Sequence, residues 1–571
     1  MGKQLNLKWV TETIGKDYKD WKKGDIIRIQ AQTGTGKTYF ITGDKKHKGL
    51  IDTLKDYEKM IYICNRTELK KQIKIDLLNK YEMKIPYITN DKGEVITNKK
   101  GEKQINMEEL DKISVIKNIT ITSYHAISFG KLDNIYLEKN NSLDAFDYII
   151  CDECHFFMTD AGYNNKAYLA LEELVKTRHR NAIKIFISAT MDEVNGVIEK
   201  MSEKLKEKGF GTYSDFTIHK PYTTGIDYSY LNVKYFRQIK DIIQIIKNDK
   251  TDDKWIIFVT SKEMGERILK DLKEREIKAT FIHANTSDKD AEKIRITSES
   301  RFISKVLICT KCLDNGVNIK DNMVKNMVIM AYDKCTFIQE IGRRRLQIKD
   351  APQINLYIPM YYKKTFQGKI DENYQPKLDI INVFENDEKT FKRKYNNDLN
   401  KPPNDIFYLD KNNKWTINDL GYARVIKDKA FALTMVEKFE EDKFAYIKEQ
   451  LKWLDLENTF AEYNLIEDVA DEDEVESLEF WLKKNYEDDI KFKKEEFINN
   501  IEEIIKSKLG TSLDELLNKL DGSHKREKGM KQYNKLFTLL ELPYMVSSKV
   551  VKETIDGKRK NITYWIISKE E

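Results

Sequence analysis

The sequence predicts two tandem α/β domains with parallel sheets and a mainly α-helical C-terminal region. Short apolar strands alternate with helix-patterned stretches from about residue 24 to residue 360, the rhythm of parallel sheets joined by crossover helices. From Trp415 onward apolar residues recur at helical spacing instead. A chain of 571 residues is long enough for three to five folding units. With 40% apolar and 34% charged residues and no apolar run that spans a bilayer, it is neither disordered nor a membrane protein.

The first sheet is expected to take Ile26 to Ile29, Met60 to Ile63, Ile119 to Thr122, Tyr148 to Cys151 and Ile183 to Ile187. The second takes Trp255 to Val259, Thr280 to Ile282, Val306 to Cys309, Met327 to Met330 and Asn355 to Ile358. The first domain is therefore placed over 1–224 and the second over 225–368. A helical extension covers 369–480 and holds the acidic run Asp471-Glu472-Asp473-Glu474, which reads as a solvated linker or exposed helix face and not as a metal site. Residues 481–571 form a last unit. There Ser512 and Glu515 stand at capping-box spacing before one helix, and a second helix runs from about Gly529 to Leu540. Strand-like Tyr544 to Lys552 and Ile562 to Ser568 flank Asp556-Gly557, with Lys558, Arg559 and Lys560 at the tip. Helices followed by such a hairpin resemble a winged helix, a nucleic-acid-binding candidate.

The 99 Lys and Arg residues nearly balance 94 Asp and Glu, so a net charge of +5 names no partner and binding must be read from local placement. Six scattered cysteines form no disulfide framework and are expected to be reduced thiols. Met1 to Val10 has no apolar export segment, which points to a cytoplasmic protein with no membrane partner.

The chemistry starts at Ile26-Ile27-Arg28-Ile29-Gln30-Ala31-Gln32-Thr33-Gly34-Thr35-Gly36-Lys37-Thr38, a strand running into a phosphate-binding loop. Gly34, Thr35 and Gly36 let backbone N–H groups turn towards phosphates, Lys37 supplies charge to the β and γ groups, and Thr38 offers a hydroxyl to Mg²⁺. Ala31 replaces the first Gly of the strict pattern. Further on, the apolar strand Tyr148 to Cys151 delivers Asp152 and Glu153 to its end. Asp152 suits the Mg²⁺ shell and Glu153 suits activation of a water, which favours ATP hydrolysis over phosphoryl transfer.

These residues, with Cys154 and His155, resemble motifs I and II of the superfamily 2 helicases and translocases, in the DExH-box branch. Ser188-Ala189-Thr190 resembles motif III, Asn65-Arg66-Thr67 motif Ia, and Thr122-Ser123-Tyr124 a nucleic-acid-contacting segment. Phe258 to Ser261 resembles motif IV, Thr310 to Ile319 with Asp314 and Gly316 motif V, and Gln339 to Arg345 motif VI. The resemblance implies two RecA-like domains with ATP and Mg²⁺ between them, and Gln339, Arg343 and Arg345 reaching across to the γ-phosphate. It implies coupling through His155, Ser188, Thr190, Asp314 and Gly316, and phosphate contacts through Arg66, Thr122, Thr260 and Thr310. Motif VI usually ends in an Arg where Leu346 stands, so the short G-R-x-R form makes Arg345 the arginine-finger candidate, with Arg343 the alternative and Arg344 a solvent or nucleic-acid contact. No Gln lies between Glu12 and Arg28 to read adenine, and only 22 residues separate Gly316 from Gln339, little room for a strand-splitting hairpin.

Cys151 and Cys154, with Cys309 and Cys312, have zinc-ligand spacing. They fall in motifs on two domains that must move relative to each other, so packing as small apolar residues is expected. The function expected is a helicase or translocase driven by Mg-ATP on single-stranded or forked nucleic acid, DNA before RNA. The rival is a nucleotide-gated clamp or recruitment subunit of a replication or defence complex.

Overall fold

A computed structural model describes residues 2–65, 67–90, 92–97, 103–128, 143–163, 165–174, 181–207, 217–287, 290–311, 318–395, 401–410, 412–466, 478–487, 489–509, 529–539, 542–555 and 558–569. Arg66, Cys312, Asp314, Gly316, the acidic run at 471–474, and Ser512 with Glu515 lie outside the described residues.

Runs of Ile, Val and aromatic residues form the strands of two sheets, and the central strands are buried on both faces, as a sheet covered by helices requires. In the first lobe these are β1 (Ile26–Gln30), β2 (Met60–Cys64), β3 (Val115–Ile116), β4 (Ile119–Ser123), β5 (Tyr148–Asp152), β6 (Ile183–Ser188) and β7 (Tyr222–Thr223). They lie in the order β3-β4-β2-β5-β6-β1-β7, all parallel except the β3 edge. The second lobe holds β8 (Leu231–Phe236), β9 (Lys254–Phe258), β10 (Ala279–Ile282), β11 (Val306–Cys309), β12 (Val324–Ile329) and β13 (Ile354–Pro359). Their order is β10-β11-β9-β12-β13-β8, parallel throughout.

The predicted strands form within a residue or so of their expected ends, β12 starting three residues early. β3, β7 and β8 were not expected. Two-residue strands leave no periodic signal, and β8 interleaves Asn232 and Lys234 with its apolar residues, as suits the sheet edge it occupies.

Two segments outside the sheets bind the lobes together. Residues 2–5 pair with the second lobe, Lys3 exchanging N–H···O bonds with Ala351 at 2.7 and 2.9 Å and Leu5 donating to Ile348 O at 2.9 Å. Leu5 is buried in the second lobe's core. Residues 8–14 belong to the first lobe, where Val10 donates to Thr35 O at 3.0 Å. On another flank, helix Asp419–Lys438, capped by Asn418, buries Leu420 in the first lobe's core and Ala432 and Met435 in the second's. Among its described residues the extension is mainly helical, as expected, with a short hairpin of β14 (Phe407–Leu409) and β15 (Trp415–Ile417).

Contacts divide the chain into compact units Met1–Asp468 and Val469–Glu571. The second packs helices Leu478–Glu487, Lys494–Leu509 and Met530–Leu539 on a sheet in the order β16-β18-β17, from β16 (Lys491–Phe492), β17 (Tyr544–Ile555) and β18 (Lys558–Lys569). Its core includes Trp481, Phe497, Tyr533 and Trp565. The β17–β18 hairpin pairs without a break from Tyr544↔Lys569 to Ile555↔Lys558. Towards its tip Lys549, Val550, Lys552, Arg559 and Lys560 are exposed. Among the described residues no helix is long and apolar enough to cross a membrane.

Candidate active site

Parallel strands end together, so side chains just beyond β1, β2, β5 and β6 converge at one edge of the first lobe. Beyond β1, Ala31 still pairs with β6, its N–H donating to Ser188 O at 3.0 Å, which explains why this position accepts a Cβ. Gly34 and Gly36 then take φ of +92° and +84°, where a side chain would be strained. Lys37 opens helix Lys37–Thr42 and donates to Glu153 Oε1 at 2.8 Å.

Glu153 itself has φ +50°, rare for a non-glycine residue and of the kind that collects at functional sites. Burial alone would raise its carboxyl; Lys37 and His155 outweigh burial and hold it well below the usual range. Asp152 goes the other way, pushed up to about 6 by burial and then by the charge of Glu153, with Lys37 opposing. Tyr62, fully buried in β2, donates to Asp152 Oδ2 at 2.5 Å and its hydroxyl also meets Thr38. Thr38 and Asp152 are thus brought to one hydroxyl. A hydroxyl and a buried carboxylate lacking full charge compensation are the oxygen donors a hard divalent cation takes, so the residues fit Mg²⁺.

His155 Nδ1 is a hub. It lies 3.3 Å from Glu153 Oε2, 3.1 Å from Ser188 Oγ and 3.5 Å from Gln339 Nε2. Gln339 Oε1 accepts from Arg343 Nη2 at 3.1 Å. Lys37 in the first lobe is therefore linked to Arg343 in the second through Glu153, His155 and Gln339. A parallel contact joins Thr190 Oγ1 to Cys335 Sγ at 3.2 Å. Gly342 sits so close to the phosphate loop that a Cβ there would come within 2.6 Å of Thr33 Oγ1, and the Leu346 carbonyl would meet a Cβ on Gly34 at 3.6 Å.

Arg345 points elsewhere, its Nε donating to Asn318 Oδ1 at 2.5 Å. Arg344 corrects the sequence reading. It is 4% exposed and donates to Val324 O and Asn322 Oδ1, both at 3.3 Å, so it braces the second lobe instead of meeting solvent or nucleic acid. Thr122 is also misplaced by that reading: it is 4% exposed in a strand covered on both faces, and the half-buried Ser123 holds the strand end. Thr260 and Thr310, with Asn65 and Lys311, line a cavity of about 650 Å³ between the lobes, and His155 and Gln339 line the same cavity. Cys151 and Cys309 are buried within their strands.

The sequence reading missed Tyr62, Cys335 and Trp9. Trp9 lies against the phosphate loop, 3.1 Å from where a Cβ on Gly36 would stand, with its ring partly exposed. The only sequence signal was an aromatic residue before Glu12, whose carboxylate accepts from the Trp9 N–H at 2.9 Å.

This arrangement defines a nucleotide-hydrolysing cleft between two RecA-like lobes. Residues 16–197 match the DEAD/DEAH box helicase family and residues 237–345 the helicase conserved C-terminal domain. The chain belongs to the DEAD/DEAH box helicases of superfamily 2, a class of ATP-hydrolysing enzymes.

The pre-mRNA-processing ATP-dependent RNA helicase PRP5 of Candida glabrata is 27% identical over 131 residues, 22% of this chain. This chain spans 15% of that relative's length. Similar solved structures include S. cerevisiae Dbp5 bound to RNA and ADP BeF3, 16% identical, covering 60% of this chain and 81% of that one with TM-score 0.39. Another is the DUF1998 helicase MrfA bound to DNA, 14% identical, covering 62% and 48% with TM-score 0.42. The Mycobacterium smegmatis helicase Lhr bound to ssDNA and AMP-PNP is 12% identical, covering 63% and 46% with TM-score 0.37.

Proposed function

We propose that the protein couples Mg-ATP hydrolysis to movement along a nucleic-acid strand, as a translocase or helicase on single-stranded or forked DNA in preference to RNA. One observation carries this reading: His155 and Gln339, the hub of the nucleotide site, line the same interlobe cavity as Thr260 and Thr310. A strand held by those threonines touches the wall that contacts the nucleotide residues, so closing the cleft and gripping the strand become one event.

In this reading Lys37 meets the β and γ phosphates, and Glu153, already freed of its proton, orients and deprotonates the attacking water. Mg²⁺, held by Thr38 and Asp152, would neutralise phosphate charge. Arg343 is the finger, because it is joined to the hub through Gln339 while Arg345 is held by Asn318. Trp9 offers a flat ring to a base. The DNA preference rests on the winged-helix-like C-terminal unit and the cations of its hairpin. The protein works in the cytoplasm.

A second reading, a nucleotide-gated clamp serving a replication or defence complex, is favoured by one feature. Only residues 330–333 lie between β12 and the helix Lys334–Ile341, so no strand-splitting hairpin is inserted there. ATPase rates with single-stranded DNA, duplex DNA, single-stranded RNA and no nucleic acid, beside displacement of a labelled strand, separate the readings. Stimulation by single strands with displacement supports a helicase, stimulation alone a translocase or clamp, and no stimulation by any of them refutes both.

A further inference from the structure

A polar ladder outside both α/β lobes spans the back of the cleft. Arg424, in helix Asp419–Lys438, donates from Nη1 to the Met158 carbonyl at 2.9 Å. Met158 lies in the short helix Phe156–Thr159 that leaves the Asp152-Glu153 carboxylates. The same guanidinium donates through Nε to both Asp428 oxygens, at 2.7 and 2.8 Å, and its Nη2 lies 3.9 Å from Asp333 Oδ1. Asp333 caps helix Lys334–Ile341 by accepting from Thr336 N at 2.9 Å, and that helix carries Gln339 and leads into Arg343. One turn beyond Arg424, Lys427 donates to Glu193 Oε2 at 2.6 Å and Glu193 O at 3.2 Å, in the turn after Ser188-Ala189-Thr190.

Both ends of this helix are anchored, Leu420 in one core and Met435 in the other, so its middle cannot slide independently of either lobe. Beside the ladder lies a cavity of about 430 Å³ lined by Glu193, Tyr332, Asp333, Lys369, Asp428 and Trp453. Continuous packing is absent there, and the charged side chains carry the connection. Burial works against the charge of Arg424, but Asp428 and Asp333 outweigh it and keep the guanidinium protonated.

We propose that Arg424 is a positioning residue for ATP hydrolysis, setting the motif VI helix against the helix that follows the catalytic carboxylates. The proposal rests on the hydrolytic reading given above. The contacts of Arg424 are with Met158, Asp428 and Asp333, and it acts through Asp333 on the placement of Gln339 and Arg343. Transition-state contacts depend on that placement more steeply than ground-state binding does, so the expected signature is in kcat.

The experiment compares the full chain with Arg424→Ala, Arg424→Lys, Asp333→Asn and Lys427→Ala, measuring kcat and KM for ATP at saturating nucleic acid. Arg424→Ala should lose at least tenfold in kcat with KM within twofold. Arg424→Lys, which keeps the charge near Asp333 and Asp428, should recover part of that loss. Unchanged kcat in Arg424→Ala, or a loss lying wholly in KM, overturns the proposal. Should Arg424→Ala fail to fold, Asp333→Asn decides, since Asn still caps the helix but loses the charge that faces Arg424: a threefold or larger loss of kcat is expected, with Lys427→Ala losing less, and an unchanged kcat overturns the proposal.

Lobe separation without nucleotide is read by energy transfer between dyes on unnatural residues at the exposed positions Tyr57 and Ile303. It should broaden in Arg424→Ala. Absence of ATP hydrolysis by the wild type, with the broadening still seen in Arg424→Ala, refutes the hydrolytic reading and leaves the tie intact. Normal wild-type turnover with an unaltered distribution in the variant refutes the tie alone.

Discussion

Replacing Gly342 with Ala tests how tightly the two lobes must meet. Gly342 has φ −65° and ψ −11°, a backbone that alanine adopts without strain, so the substitution acts through its added methyl. That methyl would lie 2.6 Å from Thr33 Oγ1, 3.2 Å from Thr33 Cβ and 3.3 Å from Thr33 Cγ2. Rotating Thr33 moves its hydroxyl but leaves its Cβ in place, so relief requires motif VI to withdraw by a few tenths of an ångström up to most of one. The Gln339–His155 contact, already 3.5 Å long, then parts. Misplacement of about 1 Å costs about a hundredfold in rate, equivalent to about 2.7 kcal/mol of barrier, and smaller shifts proportionately less. We expect kcat for ATP to fall about tenfold to a hundredfold. Thermal stability should hold, since alanine is favoured over glycine in a helical conformation by about 1 kcal/mol. Adding Thr33→Ala removes the two nearest branches and should restore much of the rate, a coupling that a double-mutant cycle measures. Wild-type turnover in Gly342→Ala, or no recovery in the double variant, refutes the close approach of the lobes.

Tyr62→Phe removes the hydroxyl that donates to Asp152, a hydrogen bond to a charged group worth about 1.5–3 kcal/mol. The free Mg²⁺ needed for half-maximal ATPase should rise about tenfold or more, and an unmoved requirement contradicts the assignment. Replacing Lys549, Arg559 and Lys560 by Ala in the hairpin should flatten the slope of log K against log salt for single strands by about 2; an equal slope means that the hairpin makes no phosphate contact. Burial alone would raise the Asp249 carboxyl, but hydrogen bonds from Thr251, Trp255 and Lys305 outweigh it and bring it down to about 2. A depressed acid stabilises above its unfolded value and loses that stabilisation as pH falls through its folded one. Asp249→Asn should therefore cost about 1–2 kcal/mol at pH 7, with the gap in thermal midpoint from wild type closing as pH drops from about 4 towards 2.

What the sequence disclosed depended on how far apart the cooperating residues lie. The phosphate loop is contiguous, so Lys37 and Thr38 could be assigned from a dozen neighbouring letters. The β5 strand likewise announced Asp152 and Glu153, because apolar residues running into two carboxylates have few other uses. Tyr62 gave no such signal: its hydroxyl serves Asp152, 90 positions away, and a Tyr in a buried strand reads as core. Cys335 meets Thr190 across 145 positions and Arg424 meets Met158 across 266, contacts that exist only once the lobes have packed. Spacing alone did not separate Arg343 from Arg345, for a related reason. Spacing fixes which residues share a turn, but Asn318 decides which guanidinium is drawn aside. Arg344, in a run of three arginines, looked solvated because charge usually is, yet the Val324 carbonyl and Asn322 draw it inside.

The pairing of Lys3 with Ala351 has a consequence for synthesis. Residues 2–5 leave the ribosome long before their partners Ile348 and Ala351 have been made, and at about 5–20 residues per second they wait roughly 20 to 70 seconds. The first lobe must therefore reach its own shape with residues 2–5 still unpaired near the phosphate loop. They are claimed only when the second lobe emerges, so competence to bind nucleotide in a nascent chain should arrive late and abruptly.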